Sequence, residues 1–125
     1  MTKVLVVEDD NLNMELVSEI LTTQGFNVDK AMDGREALIM AGDDFYDFIL
    51  MDINLPVLNG IKASRRIKNK FFYKDIPIIA LTAYASKGDK ERILASGMDD
   101  YISKPIEIPD FIKKMEEYRI RERKI

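Results

Sequence analysis

The sequence predicts an α/β fold, an open parallel sheet wound on both faces by helices, and three observations lead there. Three short apolar runs, Val4 to Val7, Phe48 to Met51 and Ile78 to Leu81, are strand length and lack polar alternation, as parallel strands covered on both faces require. The stretches between such runs carry apolar residues at helical spacing. A β-α alternation of this kind repeats five times along the chain, and right-handed crossovers then place helices on both faces of one sheet.

After the first strand, Leu12, Leu16, Val17, Ile20 and Leu21 recur at helical spacing. Asp10 or Asn11 can cap this helix, and Gly25 can close it in a left-handed conformation. Phe26 to Ala31 reads as a weaker strand. Gly34, Ala37, Leu38 and Ala41 line one face of a second, small-residue helix that ends at Gly42. A third helix follows the Phe48 to Met51 strand, starting near Asn59-Gly60 and turning Ala63 and Ile67 inward. Ile76-Pro77 opens the next strand. Ser86 to Ser96 is helical with only Ile93 and Leu94 as strong apolar anchors, so its hold on the sheet is weak. Gly97 ends it. A short strand around Tyr101 and Ile102 precedes Lys104-Pro105, and the last helix packs through Ile108, Phe111, Ile112 and Met115.

The 125 residues, 46% of them hydrophobic, suit one domain with a single continuous core. The 19 basic against 22 acidic residues leave a formal charge of −3, which offers no sequence-wide attraction to nucleic acid or anionic lipid. Cysteine and histidine are both absent. That excludes disulfides, thiolate nucleophiles, His-based triads and zinc sites with His ligands, and the chain cannot itself carry a phosphohistidine. The opening MTKVLVVEDD turns acidic after four apolar residues, too few for a signal peptide or membrane span. The expectation is a single domain over 1–125, without an output domain, in the cytoplasm.

Ligands of doubly wound sheets bind beyond the carboxyl ends of the strands, where the strand order reverses. The residues at those ends are Glu8-Asp9, Asp52, Thr82 and Lys104. Singly each has an ordinary explanation: a turn and helix cap for Glu8-Asp9, an Asx turn for Asp52, strand propensity for Thr82, a solvated turn for Lys104 before proline. Together they fall at one end of one sheet. In the order 2-1-3-4-5, one of the two common doubly wound orders, the first and third strands are neighbours and their carboxylates meet. Crowded carboxylates repel, which raises some of their pKa values or recruits a cation, and an all-oxygen, His-free set suits Mg²⁺. Asp52 could then act as a nucleophile towards a phosphoryl group, with Lys104 pairing with the new oxygens and Thr82 donating a hydrogen bond.

The segments VLVVEDD, ILMDINLPVLNG, IIALTA and DDYISKP, in that order and spacing, make the chain resemble a response-regulator receiver domain over essentially its whole length. Through TAYASKGDKERILASGMDDYISKPI it is similar to stand-alone cell-division-type receivers and to receivers fused to hybrid histidine kinases. The resemblance implies the flavodoxin-like order 2-1-3-4-5 and a two-component phosphorelay switch. It also implies that Asp52 is the phosphoacceptor and that Asp9, Asp52 and the Asn54 backbone carbonyl hold Mg²⁺, with Mn²⁺ as a substitute. Glu8, where many members have Asp, would act through water. Thr82 and Tyr101 match the switch pair, Lys104 the phosphate-binding lysine, and Lys104-Pro105 would be cis. Asn54 and Tyr84 match positions that tune self-hydrolysis, and a bulky Tyr84 would slow it. Such a chain is a phosphoacceptor switch that assists its own phosphorylation and dephosphorylation rather than an enzyme.

The implied donor is a histidine kinase or histidine phosphotransfer protein, with Met14, Pro105 and Ile106 as contact candidates, Met14 reading equally as peripheral core packing. The output face comprises helix 86–96, the Tyr101 strand and the last helix, meeting a downstream protein. In the tail, Arg119, Arg121, Arg123 and Lys124 face one acid, Glu122, and read as a solvated helix end rather than a nucleic-acid site. Two rivals stand against this reading, the second of the same topology. An aspartate-nucleophile phosphatase would want a second Asp where Asn54 stands, and a flavin-binding protein would want hydroxyl and glycine residues where Glu8-Asp9-Asp10 stands. A receiver excised from a hybrid kinase, or a receiver-shaped module not regulated by phosphorylation, are the alternatives within the resemblance.

Overall fold

Apolar runs without alternation become the central strands of the sheet, because both of their faces are covered. A computed structural model of the chain describes residues 1–55, 57–70, 73–83 and 86–119. Its elements are β1 (Lys3–Val7), α1 (Asn11–Thr23), β2 (Asn27–Ala31), α2 (Gly34–Asp43), β3 (Phe48–Asp52), α3 (Gly60–Lys68), β4 (Ile78–Thr82), α4 (Lys87–Ala95), β5 (Asp100–Ser103) and α5 (Ile108–Glu117). The sheet is parallel in the order β2-β1-β3-β4-β5. All ten expected elements are present, with β2 and β5 at the edges, where an open side leaves more residues partly exposed and the apolar signal weaker.

Alternation along each central strand divides the core in two. Leu5, Val7, Ile49, Met51, Ile78 and Ala80 face α2, α3 and α4, through Ala37, Ala41, Ala63, Ile67 and Ile93. Val4, Val6, Phe48, Leu50, Ile79 and Leu81 face α1 and α5, through Met14, Val17, Leu21, Phe111 and Met115. Each fully buried Val, Leu or Ile contributes about 1.5–3 kcal/mol, so the three central strands, whose apolar residues are all buried, supply a large share of the hydrophobic stabilisation.

The inward face of α1 differs from the expected one. Met14, Val17, Ser18 and Leu21 are buried, whereas Leu12 is 77% exposed and Leu16 37%. Positions 14, 17, 18 and 21 form a stripe spaced i, i+3, i+4, i+7, and this stripe, rather than the one through Leu12 and Leu16, lies against the sheet. Met14 is therefore core, which decides between its two readings against the partner contact. Asp10 caps the helix, accepting from Asn13 N–H at 2.9 Å, and Gly25 follows it at φ 88°.

On α4, Ser86 and Ser96 are the caps of the expected helix and Ile93 is its buried anchor; Leu94 points outward. Ile108 at the start of α5 is also exposed, leaving Phe111 and Met115 as the buried anchors of that helix. After α5, the Arg119 guanidinium lies 4.1 Å from the Phe26 ring centroid and pairs with Glu116. Arg121, Glu122, Arg123, Lys124 and the tuning candidate Tyr84 lie outside the described residues.

Candidate functional site at the strand ends

Register brings the polar strand ends together. Val7 pairs with Met51, so Glu8 and Asp52 leave adjacent strands side by side, and Thr82 pairs with Ser103, which puts Lys104 one residue beyond. Backbone bonds hold these ends: Glu8 N–H donates to the Ala31 carbonyl at 3.1 Å, and Lys104 N–H to the Thr82 carbonyl at 2.8 Å. The Lys104-Pro105 peptide is cis, as the resemblance implied.

The Lys104 ammonium sits among the acids. Its Nζ donates to Glu8 Oε1 at 3.0 Å, Glu8 Oε2 at 3.2 Å and Asp52 Oδ2 at 3.1 Å. Glu8 has no exposed surface and Asp52 is almost fully buried, while Asp9 is open to solvent. Carboxylate oxygens of Glu8, Asp9 and Asp52 lie within 4.8 Å of one another. Three carboxylates against one ammonium leave negative charge in excess in a partly dry site. Burial, reinforced by hydrogen bonding and repulsion from Asp52, pushes the Glu8 carboxyl up to about 7, against the opposing pull of Lys104 and Asn13. Lys104 is itself held above the ordinary lysine range: burial opposes its charge, but Glu8 and Asp52 outweigh that effect.

Such a donor set fits a hard divalent cation: it is all oxygen, its three carboxylates converge within 4.8 Å, close enough to share one ion, and it carries charge that one lysine does not neutralise. The loop after β3 supports it. Asn54 N–H donates to Asp52 Oδ1 at 3.1 Å, orienting the acid. Gly60 N–H donates to the Ile53 carbonyl at 2.9 Å, and a Cβ on Gly60 would sit 2.1 Å from the Asp52 carbonyl oxygen. Only glycine lets the start of α3 lie so close behind Asp52. Val57, in the same loop, holds φ 68°, a left-handed conformation that is costly for a β-branched residue.

Away from the acids, Tyr101 is half-buried on β5, next to the strand that ends in Thr82. Its ring lies 5.0 Å from Lys90 Nζ on α4 and 6.0 Å from Lys114 Nζ on α5. Lys114 also pairs with Asp100 at 3.0 Å, and Tyr118 donates to Asp100 at 2.8 Å. Burial works against the Asp100 charge, but those two donors hold its carboxyl below the usual range.

One member of the site escaped the sequence reading. Asn13 Nδ2 on α1 donates to Glu8 Oε1 at 3.0 Å. Its signal was an amide in the first helical turn, five residues after the acid, where a side chain can reach back to the preceding strand end.

A family model for the response regulator receiver domain matches residues 4–116. The polar-differentiation response regulator DivK of Brucella ovis is 43% identical over 119 residues, covering 94% of this chain and 97% of that protein. Among solved structures, the receiver domain of the sensor histidine kinase PA1611 from Pseudomonas aeruginosa, with a magnesium ion coordinated in its active-site cleft, superposes with TM-score 0.86. It shares 38% identity over 94% of this chain and 96% of that one. The Saccharomyces cerevisiae complex of the histidine phosphotransfer protein Ypd1 with the receiver domain of its downstream response regulator Ssk1 superposes with TM-score 0.83. Identity there is 32%, over 94% of this chain and 88% of that one. Among the described residues, no helix is long and apolar enough to cross a membrane.

Proposed function

The chain belongs to the response-regulator receiver-domain family of two-component systems, and we propose that Asp52 is the residue through which it works, as acceptor of a phosphoryl group from a phosphohistidine on a histidine kinase or phosphotransfer protein. The observation that carries this reading is the Lys104 ammonium held at 3.1 Å from Asp52 and 3.0 Å from Glu8. An ionised carboxylate needs no general base. An Asp52 carboxylate oxygen forms a bond to phosphorus, the P–N bond to the donor imidazole breaks, and the imidazole takes a proton as it leaves.

Mg²⁺, or Mn²⁺ in its place, would be held by Asp9, Asp52 and the Asn54 carbonyl, with Glu8 acting through water; when bound it neutralises phosphoryl charge. The protein's own groups do the rest. Asn54 N–H orients Asp52, Lys104 turns from the carboxylates to the phosphoryl oxygens, and the Thr82 hydroxyl donates to another of them. The same groups assist hydrolysis of the acyl phosphate, with Asn54 and Tyr84 setting its rate. Because Lys104 and Thr82 bind the phosphorylated form in one conformation better than in another, they bias a two-state switch read by Tyr101.

The output face is α4, β5 and α5, meeting a downstream protein in the cytoplasm. Support comes from α4, which has the single buried anchor Ile93, so that rearranging it disturbs little packing. The exposed Leu12 and Leu16 on α1, with Pro105 and Ile106 beside the pocket, supply a docking surface for the phosphodonor. Incubation with phosphoramidate and Mg²⁺ followed by intact-mass measurement should add one phosphoryl group to the wild type and none to Asp52→Asn. Equal labelling of both would refute the assignment.

A further inference from the structure

Glu8 poses a problem that the proposed function leaves unsolved. It is a fully buried carboxylate whose two oxygens depend on Lys104 at 3.0 and 3.2 Å. Lys104 is also the cation that would turn to the incoming phosphoryl oxygens, and an ammonium has three hydrogens, all of which face carboxylate oxygens here. When it turns, Glu8 loses its direct cationic partner and keeps at most a water of the bound Mg²⁺, and a buried carboxylate short of donors is heavily penalised. The site needs a second donor that stays.

Asn13 has the position and chemistry for it. Its Nδ2 donates to Glu8 Oε1 at 3.0 Å, and among the described residues it is the one neutral side chain bonded to that carboxylate. Its own backbone is fixed, because Asp10 accepts from Asn13 N–H at 2.9 Å as the cap of α1. The bond also makes use of the longer Glu8 side chain: an aspartate at that position would draw its carboxylate back towards the strand by one methylene, away from α1. We infer that Asn13 is a positioning residue for phosphoryl transfer, holding the Glu8 carboxylate in place while Lys104 moves from Glu8 to the phosphoryl group.

The inference rests on Asp52 being the phosphoacceptor, and two measurements separate the failure of one from the failure of the other. In the first, labelling by phosphoramidate at saturating Mg²⁺ is timed by intact mass. Asn13→Ala should slow it about tenfold, the factor set by one hydrogen bond to a charged group. In a Glu8→Asp background the same change should have little effect, because the carboxylate no longer reaches Asn13. A residue that served only to support α1 would slow labelling equally in both backgrounds.

The second measurement is thermal unfolding in EDTA at pH 8, with no metal or phosphoryl group present. Asn13→Asp keeps the shape but turns an acceptor towards Glu8. The first turn of α1 carries no acid, so this change alone should favour the helix through its dipole. Facing Glu8 it should lower the midpoint, and in a Glu8→Gln background it should not. Absence of wild-type labelling would overturn the proposed function and the inference together. Wild-type labelling that Asn13→Ala leaves unchanged, or slows equally in both backgrounds, would overturn the inference alone, as would an Asn13→Asp midpoint at or above that of wild type.

Discussion

Neutralising Glu8 should flatten the pH dependence of the metal-free protein, and the sign follows from its burial. The unfolded side chain loses its proton near 4.5, the folded one near 7, because burial and the neighbouring Asp52 disfavour the charge. Between those values the folded state holds a proton that the unfolded state has released. Stability contributed by protonated Glu8 is therefore full below about 4.5 and lost as pH rises to about 7. The displacement corresponds to about 3 kcal/mol, or about 10 °C of unfolding midpoint for a domain of this size. Unfolding followed by circular dichroism in EDTA from pH 5 to 8 should show wild type losing stability, relative to Glu8→Gln, across that range. Saturating Mg²⁺ should remove the difference, since a divalent cation replaces the proton as the partner of the acidic cluster. Parallel pH profiles for wild type and Glu8→Gln in EDTA would refute the account of the site as over-charged.

Gly60→Ala places a methyl group 2.1 Å from the Asp52 carbonyl and should cost about 1–3 kcal/mol in urea unfolding while displacing Asp52 and slowing phosphoramidate labelling. Val57→Asn should raise stability by about 1 kcal/mol, because asparagine tolerates the left-handed φ that valine resists. Met14→Ala should cost about 2–5 kcal/mol, as loss of a buried core side chain. Leu12→Ser with Leu16→Ser should change stability by less than about 1 kcal/mol yet weaken transfer from a phosphotransfer protein, leaving phosphoramidate labelling intact.

Much of this fold is written in local composition. Val4 to Val7, Phe48 to Met51 and Ile78 to Leu81 announce buried parallel strands because each must be apolar on both faces. The edge strands announce themselves less, and Leu12 and Leu16 mislead: leucines at helical spacing on α1 do not specify which side meets the sheet, and a methionine and a serine lie inside instead. Leu94 misleads in the same way on α4. Helix ends were readable where one residue decides them, as at Asp10, Gly25 and Ser86.

For the site, the sequence alone determined which groups stand at the strand ends, since Glu8-Asp9, Asp52 and Thr82 come straight after apolar runs and Lys104 comes one serine after the short run Tyr101-Ile102. Their types, taken together, point towards an oxygen-ligated cation and a phosphoryl group. Tertiary structure decided how those groups differ. The two acids after β1 look alike in sequence, but one is buried against Lys104 and the other faces solvent. Asn13 became part of the site only when α1 docked. The physical reason is range: strand and helix propensities act over a few residues, whereas the desolvation and charge pairing of Glu8 depend on Lys104, which is 96 residues away in the chain and 3.0 Å away in the fold.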